Sequence, residues 1–401
     1  MRILTALLTL ALAACTAPSA SAPATAPTGS PAPSASPATS AIALPTPSPL
    51  GQLMWRLDIP RSRDRYGLGL APSGRVALAV DLDAQSFAFF NLRGDQVGWS
   101  DVKGLNLIWW TWLSDSSGLL AAMPATVDGR PTTQLVVFGH DRGFLKVIGE
   151  DPVGPDDLSL SPDGQWLAFA TRCCPRRIVA TRLDGTERRV LAASASILSL
   201  LGWDARSRVM YADSRELHRV GLDGQARDSA VIDLGLPAGV NAVSARMFDQ
   251  SPDRAGAFIG IFADRAFPGA GSNNYGIRRL VGDRLYEFTS VWGIAGWLND
   301  HEFVESRMPP VVVDIVTGST RSLGVSDDQL QPVVLSGRIL LAQGNRTEMY
   351  VLRLGVDDHY RALDLPGNDR CCPGPIGDGL FIFKGEDGWF YVVNGEVAAR
   401  S

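Results

Sequence analysis

Four of the five cysteines in the chain stand in two adjacent pairs, each preceded by arginine and followed by proline. Cys173 and Cys174 lie in the segment RCCPRRI, and Cys371 and Cys372 lie in RCCPGPI. Adjacent Cα atoms are about 3.8 Å apart, which is shorter than the roughly 4.4–6.8 Å that disulfides prefer. The pairs therefore predict strained and easily reduced vicinal bridges, bridges that cross-link the two segments, or free thiols.

Four cysteines also raise the question of a zinc site. Structural zinc sites usually space their ligands as Cys-x₂₋₄-Cys, because neighbouring side chains rarely face one tetrahedral centre together. Adjacent cysteines lack that spacing, and the histidines are dispersed along the chain at His140, His218, His301 and His359. The sequence therefore predicts no metal site and no cofactor.

The fifth cysteine follows a short export signal. Arg2 supplies a positive start, and residues 3–11 form an apolar run that is too short for a typical membrane span. The run ends in Leu12-Ala13-Ala14-Cys15, which resembles the lipobox of bacterial lipoproteins. That resemblance implies a signal peptide over 1–14, a lipid on Cys15, and an extracytoplasmic protein anchored to the cell membrane. Disulfides persist in such a compartment.

The composition separates a tether from a globular part. Residues 15–50 consist almost entirely of Ala, Pro, Ser and Thr after the cysteine, so they predict a disordered linker. The whole chain is 45% hydrophobic and 20% charged, which is typical of a globular protein. Its net charge of -5 is spread evenly and argues against nucleic acid as a partner.

Residues after 50 contain a repeated unit. Residues 157–171 predict a strand, the turn Ser161-Pro162-Asp163-Gly164 and a second strand, while residues 177–191 predict two more strands around an Asp-Gly turn. Weaker copies begin near residues 68, 111, 201, 248, 295 and 333, which is a spacing of about 40–50 residues. The unit is therefore a four-stranded antiparallel meander.

This repeat resembles the TolB-like β-propeller family, and more broadly WD-repeat propellers, whose unit carries a Trp-Ser-Pro-Asp-Gly turn before an apolar strand. Trp112, Trp203 and Trp297 stand near the position of the family's tryptophan and are expected to pack between blades. The resemblance implies an all-β fold over residues 51–401, a single propeller of four-stranded blades.

The two ends of this domain complete each other. Residues 53–60 predict one strand without a partner, and residues 379–397 predict two or three strands that lack a fourth. Pairing them closes the ring and leaves no free sheet edge. We therefore predict eight blades, with seven as the second choice, and a monomer.

Strand counting places both cysteine pairs on one face. Because antiparallel strands alternate in direction, the loop between the second and third strands of a blade leaves the same face as the connections between blades. The first cysteine pair falls in a loop of that kind, and the second pair falls in a connection. The glycine-rich loop 264–277 leaves the same face. The predicted binding-face residues are Arg172, Arg370, Phe267, Asn273, Asn274 and Tyr275.

These features favour a binding protein over an enzyme. The chain contains no Gly-x-Ser-x-Gly elbow, no His-Glu-x-x-His pair and no phosphate-binding loop. We expect a lipoprotein that displays the propeller to an envelope protein, a peptide or a glycan. The alternative is a hydrolase or lyase with a metal-dependent site in the central channel, built from loop carboxylates. Candidate carboxylates for it are Asp81, Asp83, Asp156, Asp157, Asp327 and Asp328.

Overall fold

The computed structural model describes residues 54–400 apart from several short segments. The gaps are 58–65, 72–75, 82–85, 92–95, 102–108, 114, 128, 140–142, 152–156, 172–174, 224–228, 272, 289–293, 308, 324–330, 338, 344–348, 364–373, 378 and 385–389. All described residues belong to one compact unit, Pro47–Ser401. The predicted signal peptide, Cys15 and nearly all of the linker fall outside them and stay predictions.

The described strands form eight antiparallel sheets of four strands each. Seven sheets are built from consecutive strands, so each is a simple meander, and we number these blades in chain order.

Blade 1 consists of β2 (Tyr66–Leu70), β3 (Val76–Asp81), β4 (Ser86–Asn91) and β5 (Gln96–Asp101). Blade 2 consists of β6 (Trp109–Trp112), β7 (Gly118–Val127), β8 (Arg130–Gly139) and β9 (Gly143–Asp151). Blade 3 consists of β10 (Leu158–Leu160), β11 (Trp166–Ala170), β12 (Arg176–Arg182) and β13 (Arg188–Ser194). Blade 4 consists of β14 (Ser199–Trp203), β15 (Val209–Ala212), β16 (Glu216–Val220) and β17 (Ala230–Asp233).

Blade 5 consists of β18 (Ala242–Gln250), β19 (Gly256–Ala263), β20 (Tyr275–Val281) and β21 (Arg284–Phe288). Blade 6 consists of β22 (Ile294–Trp297), β23 (Glu302–Glu305), β24 (Val311–Asp314) and β25 (Thr320–Ser322). Blade 7 consists of β26 (Gln331–Ser336), β27 (Ile339–Gln343), β28 (Met349–Arg353) and β29 (Arg361–Leu363). Blade 8 takes β30 (Gly374–Gly377), β31 (Leu380–Lys384) and β32 (Phe390–Asn394) from the C-terminal part and β1 (Met54–Leu57) from the N-terminal part.

Blade 8 closes the ring. β1 pairs antiparallel with β32, with Met54 opposite Val393 and Leu57 opposite Phe390. On the other side of this blade, the first strands β30 and β2 are neighbours. The predicted pairing of the two ends is therefore confirmed, and the described residues form an eight-bladed β-propeller.

The core lies between the blades rather than inside one layer. One apolar cluster joins blades 3 and 4 through Trp166, Ile178, Leu200 and Trp203, and similar clusters join each pair of neighbours from blade 1 to blade 8. Burying a large apolar side chain contributes about 1.5–3 kcal/mol. Both faces of each blade therefore depend on the neighbouring blades.

Burial follows the order of strands within a blade. All five residues of the second strand β11 are buried, whereas all three residues of the fourth strand β25 are exposed. The first strands of successive blades contact each other, for example β10 with β14 and β14 with β18. The first strands therefore line the central channel and the fourth strands face outward.

One short helix, α1 (Gly395–Arg400), follows the last strand where the sequence predicted more strand. The side chain of Asn394 caps it, since its Oδ1 accepts hydrogen bonds from the N–H groups of Glu396 (3.0 Å) and Val397 (3.2 Å). Ala398 and Ala399 pack against blade 7. In the part of the chain that the structure describes, no helix has the length and apolar character needed to span a membrane.

Removing β1 is expected to destabilise the whole ring, because β32 would lose four paired residues and become a free edge. Each lost hydrogen bond costs about 1 kcal/mol. The free energy of unfolding should therefore be about 2–4 kcal/mol lower for a chain that begins at Asp58 than for one that begins at Pro47. Urea unfolding and light scattering measure this difference. Equal stability of the two chains would contradict the closure.

Candidate functional site

One candidate site is a pocket of about 580 Å³ on the wall of the central channel. The first strands of blades 3, 4 and 5 build most of it. Its lining comprises residues 158–160, 200–203, 246–248, Gln250 and Arg254. We call this the channel pocket.

Hydrogen bonds between blades hold the wall of the channel pocket together. The indole Nε1 of Trp203 donates to the backbone oxygen of Ser159 in blade 3 (3.0 Å). The side-chain amide of Gln250 in blade 5 donates to the backbone oxygen of Trp203 (2.9 Å). Trp203 is only 1% exposed, so both bonds lie beside a closely packed core. Three separate sheets therefore form one connected surface.

Two apolar side chains on β18 are exposed. Phe248 is 40% exposed and lines the channel pocket beside the partly buried Met247. Val243, on the same first strand, is 48% exposed. An exposed aromatic side chain in a concave pocket is typical of ligand-binding surfaces.

Two arginines supply the charge of the channel pocket. Arg246 is exposed, and its guanidinium carbon lies 5.8 Å from the centre of the Phe262 ring. Arg254 is partly buried at the end of the pocket wall. No carboxylate is among the described lining residues. Asp249, on the same strand, is not part of the lining, and burial raises the pKa of its carboxyl group.

Arg254 occupies an unusual backbone position. Blade 5 makes its first turn with Ser251-Pro252-Asp253-Arg254, where blade 3 has the Ser161-Pro162-Asp163-Gly164 turn. The φ angle is +59° at Arg254 and +65° at Gly164. Glycine adopts this left-handed conformation freely, whereas other residues pay about 1–2 kcal/mol for it. An arginine is therefore kept where glycine is the relaxed choice.

A second cavity, of about 310 Å³, lies on the face where the turns after the first strands emerge. We call it the turn-face cavity. Arg208 forms an ion pair with Asp204 (2.7 Å), and Arg219 forms one with Asp283. Arg254 lines this cavity as well as the channel pocket. Two arginines of the turn-face cavity, Arg208 and Arg219, are thus paired with carboxylates that line the same cavity.

The four paired cysteines lie outside the described residues, together with Arg172 and Arg370. β11 ends at Ala170 before the first pair, and β29 ends at Leu363 before the second. These are the ends of a second strand and a fourth strand, which lie at the same face of antiparallel blades. The pairing of the cysteines stays a prediction.

The glycine-rich loop of blade 5 divides into core and surface residues. Phe267 is 6% exposed and packs in the cluster between blades 4 and 5, with the guanidinium carbon of Arg278 at 5.1 Å from its ring centre. It therefore anchors the loop rather than facing a ligand. Asn273 is exposed, Asn274 is partly buried with a φ of +55°, and Tyr275 stacks on Phe262 with ring centres 4.3 Å apart.

The structure also brings together a group that the sequence analysis treated as dispersed. The ligating atoms of Asp213, Glu216 and His218 all lie within 4.8 Å of one another, in and beside the loop between β15 and β16. The His218 ring bonds to Asp213 (3.2 Å) and stacks on Tyr211 at 4.8 Å. Contacts inside the group account for its arrangement without a ligand.

Backbone bonds hold the carboxylate of this group in its charged form. Burial alone would raise the pKa of Asp213, but hydrogen bonds from the backbone N–H groups of Arg215 and Glu216 and from His218 lower it below the usual value. The spacing Asp-x-x-Glu-x-His was the signal that could have revealed this group in the sequence. Of the six loop carboxylates weighed for a channel metal site, Asp157 is the one whose side chain the structure describes.

The sequence analysis did not predict the channel pocket, although the sequence contains one signal for it. Replacement of the turn glycine by Arg254 is visible when the turns of blades 3 and 5 are aligned. The exposure of Phe248 had no such signal, because it precedes the turn as apolar residues do in other blades.

Comparisons with known proteins support the fold. No protein-family model and no curated protein matches the chain. Among solved structures, the chain is similar to dipeptidyl peptidase 4 of Porphyromonas gingivalis, with a TM-score of 0.54 and 11% identity over 79% of this chain. It is also similar to a eukaryotic initiation factor, with a TM-score of 0.51 and 10% identity over 82% of this chain and 84% of the other.

A third similar structure is the β-propeller domain of Cps50 (Swd1) from Myceliophteria thermophila, with a TM-score of 0.41 and 12% identity over 85% of this chain and 99% of that domain. The chain spans about half of the peptidase, 56% of its length. At such identities the likeness concerns the fold alone.

Replacing Phe267 by alanine should lower the free energy of unfolding by about 3–5 kcal/mol, because the change empties a core position. Asn273→Ala, in the same loop but exposed, should change it by less than about 0.5 kcal/mol. Urea unfolding of both variants measures the difference. If the two variants were equally stable, Phe267 would not anchor the loop.

Proposed function

We propose that the protein is an extracytoplasmic lipoprotein that displays its propeller as a ligand- or protein-binding platform and carries out no chemistry of its own. The observation that supports this proposal most directly is the channel pocket. It combines the exposed ring of Phe248, two guanidinium groups and a wall connected across three blades.

The groups that line the channel pocket favour binding over catalysis. They are apolar side chains, the hydroxyl of Ser159, the amide of Gln250 and the guanidinium groups of Arg246 and Arg254. General acid–base catalysis generally relies on side chains such as histidine or carboxylates, whose pKa can be set near the working pH. The described lining offers hydrogen bonding, charge and stacking instead, which are the means of recognition.

The rigidity of this wall also suits a binding platform. Its residues come from first strands whose neighbouring second strands, such as β11 and β15, are wholly buried. A pre-formed surface loses little conformational entropy when a ligand binds. We therefore propose that the pocket accepts its ligand without rearranging the blades.

The alternative of a metal-dependent hydrolase or lyase in the channel has less support. The described group with metal-ligand character, Asp213 with Glu216 and His218, lies between the second and third strands of blade 4. That position is two strands away from the innermost one. The described lining of the channel pocket contains no carboxylate.

The membrane anchor rests on the sequence. Cys15 follows an apolar run that resembles a lipoprotein signal, and the linker over 15–50 separates it from the propeller. A lipid with two or more acyl chains holds a protein firmly at a membrane, because each buried CH₂ contributes about 0.8 kcal/mol. We propose that the propeller, as a monomer, meets an envelope protein, a peptide or a glycan at that surface.

Replacing Cys15 by serine tests the anchor. The wild-type chain, expressed in a bacterial host, should incorporate labelled palmitate and sediment with membranes, because the thiol carries the lipid. The Cys15→Ser variant should do neither. Incorporation of label into the serine variant would show that the lipid is attached elsewhere or that the anchor is wrong.

Replacing Phe248 by alanine tests the platform. In a thermal-shift screen of peptides, oligosaccharides and small organic ligands, at least one class should raise the melting temperature of the wild type. The Phe248→Ala variant should lose most of that rise, because the ring that it lacks lines the pocket in the wild type. Val190→Ala is the matched control, since Val190 lies on the outer strand β13 and is 54% exposed. Equal responses of both variants would place the ligand outside the channel.

A further inference from the structure

The first turn of blade 5 has the same hydrogen bonds as the first turn of blade 3. Ser251 Oγ donates to Asp253 Oδ1 (2.6 Å) and accepts the N–H of Gly256 (2.9 Å). In blade 3, Ser161 Oγ donates to Asp163 Oδ1 in the same way (2.5 Å). The two turns therefore share their hydrogen bonds, but the left-handed residue is glycine in blade 3 and arginine in blade 5.

Other turns of this kind also place a non-glycine residue in the left-handed conformation. Ser116 and Ser207 occupy left-handed positions in blades 2 and 4, with φ angles of +61° and +56°. Arg254 carries the largest side chain of the non-glycine residues described in that conformation. A strained backbone persists where the surrounding structure or a function retains it. The property that arginine adds at this position is a guanidinium group at the pocket wall.

That guanidinium group has no hydrogen-bond or ion-pair partner among the described residues. Burial lowers the pKa of Arg254, and no carboxylate offsets the effect. Burial also lowers the pKa of Arg219, in the neighbouring cavity, but there Asp283 and Asp204 offset part of the effect. A partly buried cation without a counter-charge favours the binding of an anion.

Arg246 supplies a second cation on the same wall. Among the described residues its contact is with the Phe262 ring, and it forms no ion pair. Phe248 lies between the two arginines in the sequence and lines the same pocket. The channel pocket thus offers two guanidinium groups to an oxyanion and an aromatic ring to an apolar body.

We infer that the channel pocket binds a ligand through an oxyanion, a carboxylate or a phosphate group, with Arg246 and Arg254 as the cations of the pocket wall and the apolar part of the ligand against Phe248. This inference rests on the proposed function, because it names the ligand class of the same pocket. Arginine recognises both oxyanions through paired N–H donors. A neutral ligand of the same shape would leave both guanidinium groups without a counter-charge.

Isothermal titration of the full chain at low ionic strength tests the inference with three probes: phenyl phosphate, benzoate and the neutral benzamide. Either anion, or both, should bind at least tenfold more tightly than benzamide. The two anions distinguish a phosphate-bearing ligand from a carboxylate-bearing one. If neither anion binds more tightly than benzamide, the inference is wrong.

Arg254→Gly separates binding from stability. Glycine relaxes the left-handed turn, so the variant should melt at a higher temperature than the wild type while its anion affinity falls at least tenfold. Loss of affinity in this variant is therefore not explained by unfolding. A variant that melts higher and binds the anion unchanged would overturn the inference.

Two further variants locate the anion. Arg246→Gln should also weaken anion binding at least tenfold, whereas Arg206→Gln should leave it unchanged. Arg206 is the matched control, because it is exposed and lines the turn-face cavity but not the channel pocket. If Arg206→Gln weakens binding and Arg246→Gln does not, the anion lies in the other cavity and the inference is wrong.

Failure of this inference and failure of the proposed function give different results. If a neutral ligand from the thermal-shift screen depends on Phe248 while both anions fail to bind, the platform stands and the oxyanion is excluded. If the binding of every ligand tested is unchanged by substitution of Phe248 or of the two arginines, both proposals are wrong.

Discussion

The need to bury both faces of every sheet governs this structure. A single four-stranded sheet with two apolar faces is not stable by itself, because each face must pack against another layer. In the ring, each blade supplies one layer to the blade before it and one to the blade after it. This arrangement succeeds only when the last blade meets the first. Backbone hydrogen bonds between β1 and β32 close the ring.

Closure of the ring also determines which residues line the central channel. Because the first strands of neighbouring blades converge, small residues such as Ser159 and Gly202 form part of the wall of the channel pocket. A Cβ at Gly202 would meet the Ser159 hydroxyl at 3.3 Å, on a backbone with a φ of +126°. Phe248 and Arg246, both on β18, are the exposed large side chains among the described residues of this wall.

Blade 5 also shows how similar local structures serve different purposes. Its glycine-rich loop resembles a recognition loop in composition, yet Phe267 turns into the core, where Arg278 covers its ring. Its first turn resembles a purely structural turn, yet Arg254 introduces strain and a charge that has no ion-pair partner among the described residues. The local sequence shows which residues are neighbours along the chain. It does not show which way a side chain faces once two blades pack together.

The sequence by itself determined the repeat, the strand order within blades and the closure by the two ends. These features depend on local signals, namely Asp-Gly turns and short β-branched strands, and on the count of strands in blades 3 and 8. Only the tertiary structure decided which residues line the channel pocket, that Phe267 is buried, and that Asp213, Glu216 and His218 converge. The physical reason is that a strand alternates its side chains between two faces, and the bulges in β18 shift that alternation. The exposure of Phe248 therefore depends on how blade 5 packs against its neighbours, which no local pattern encodes.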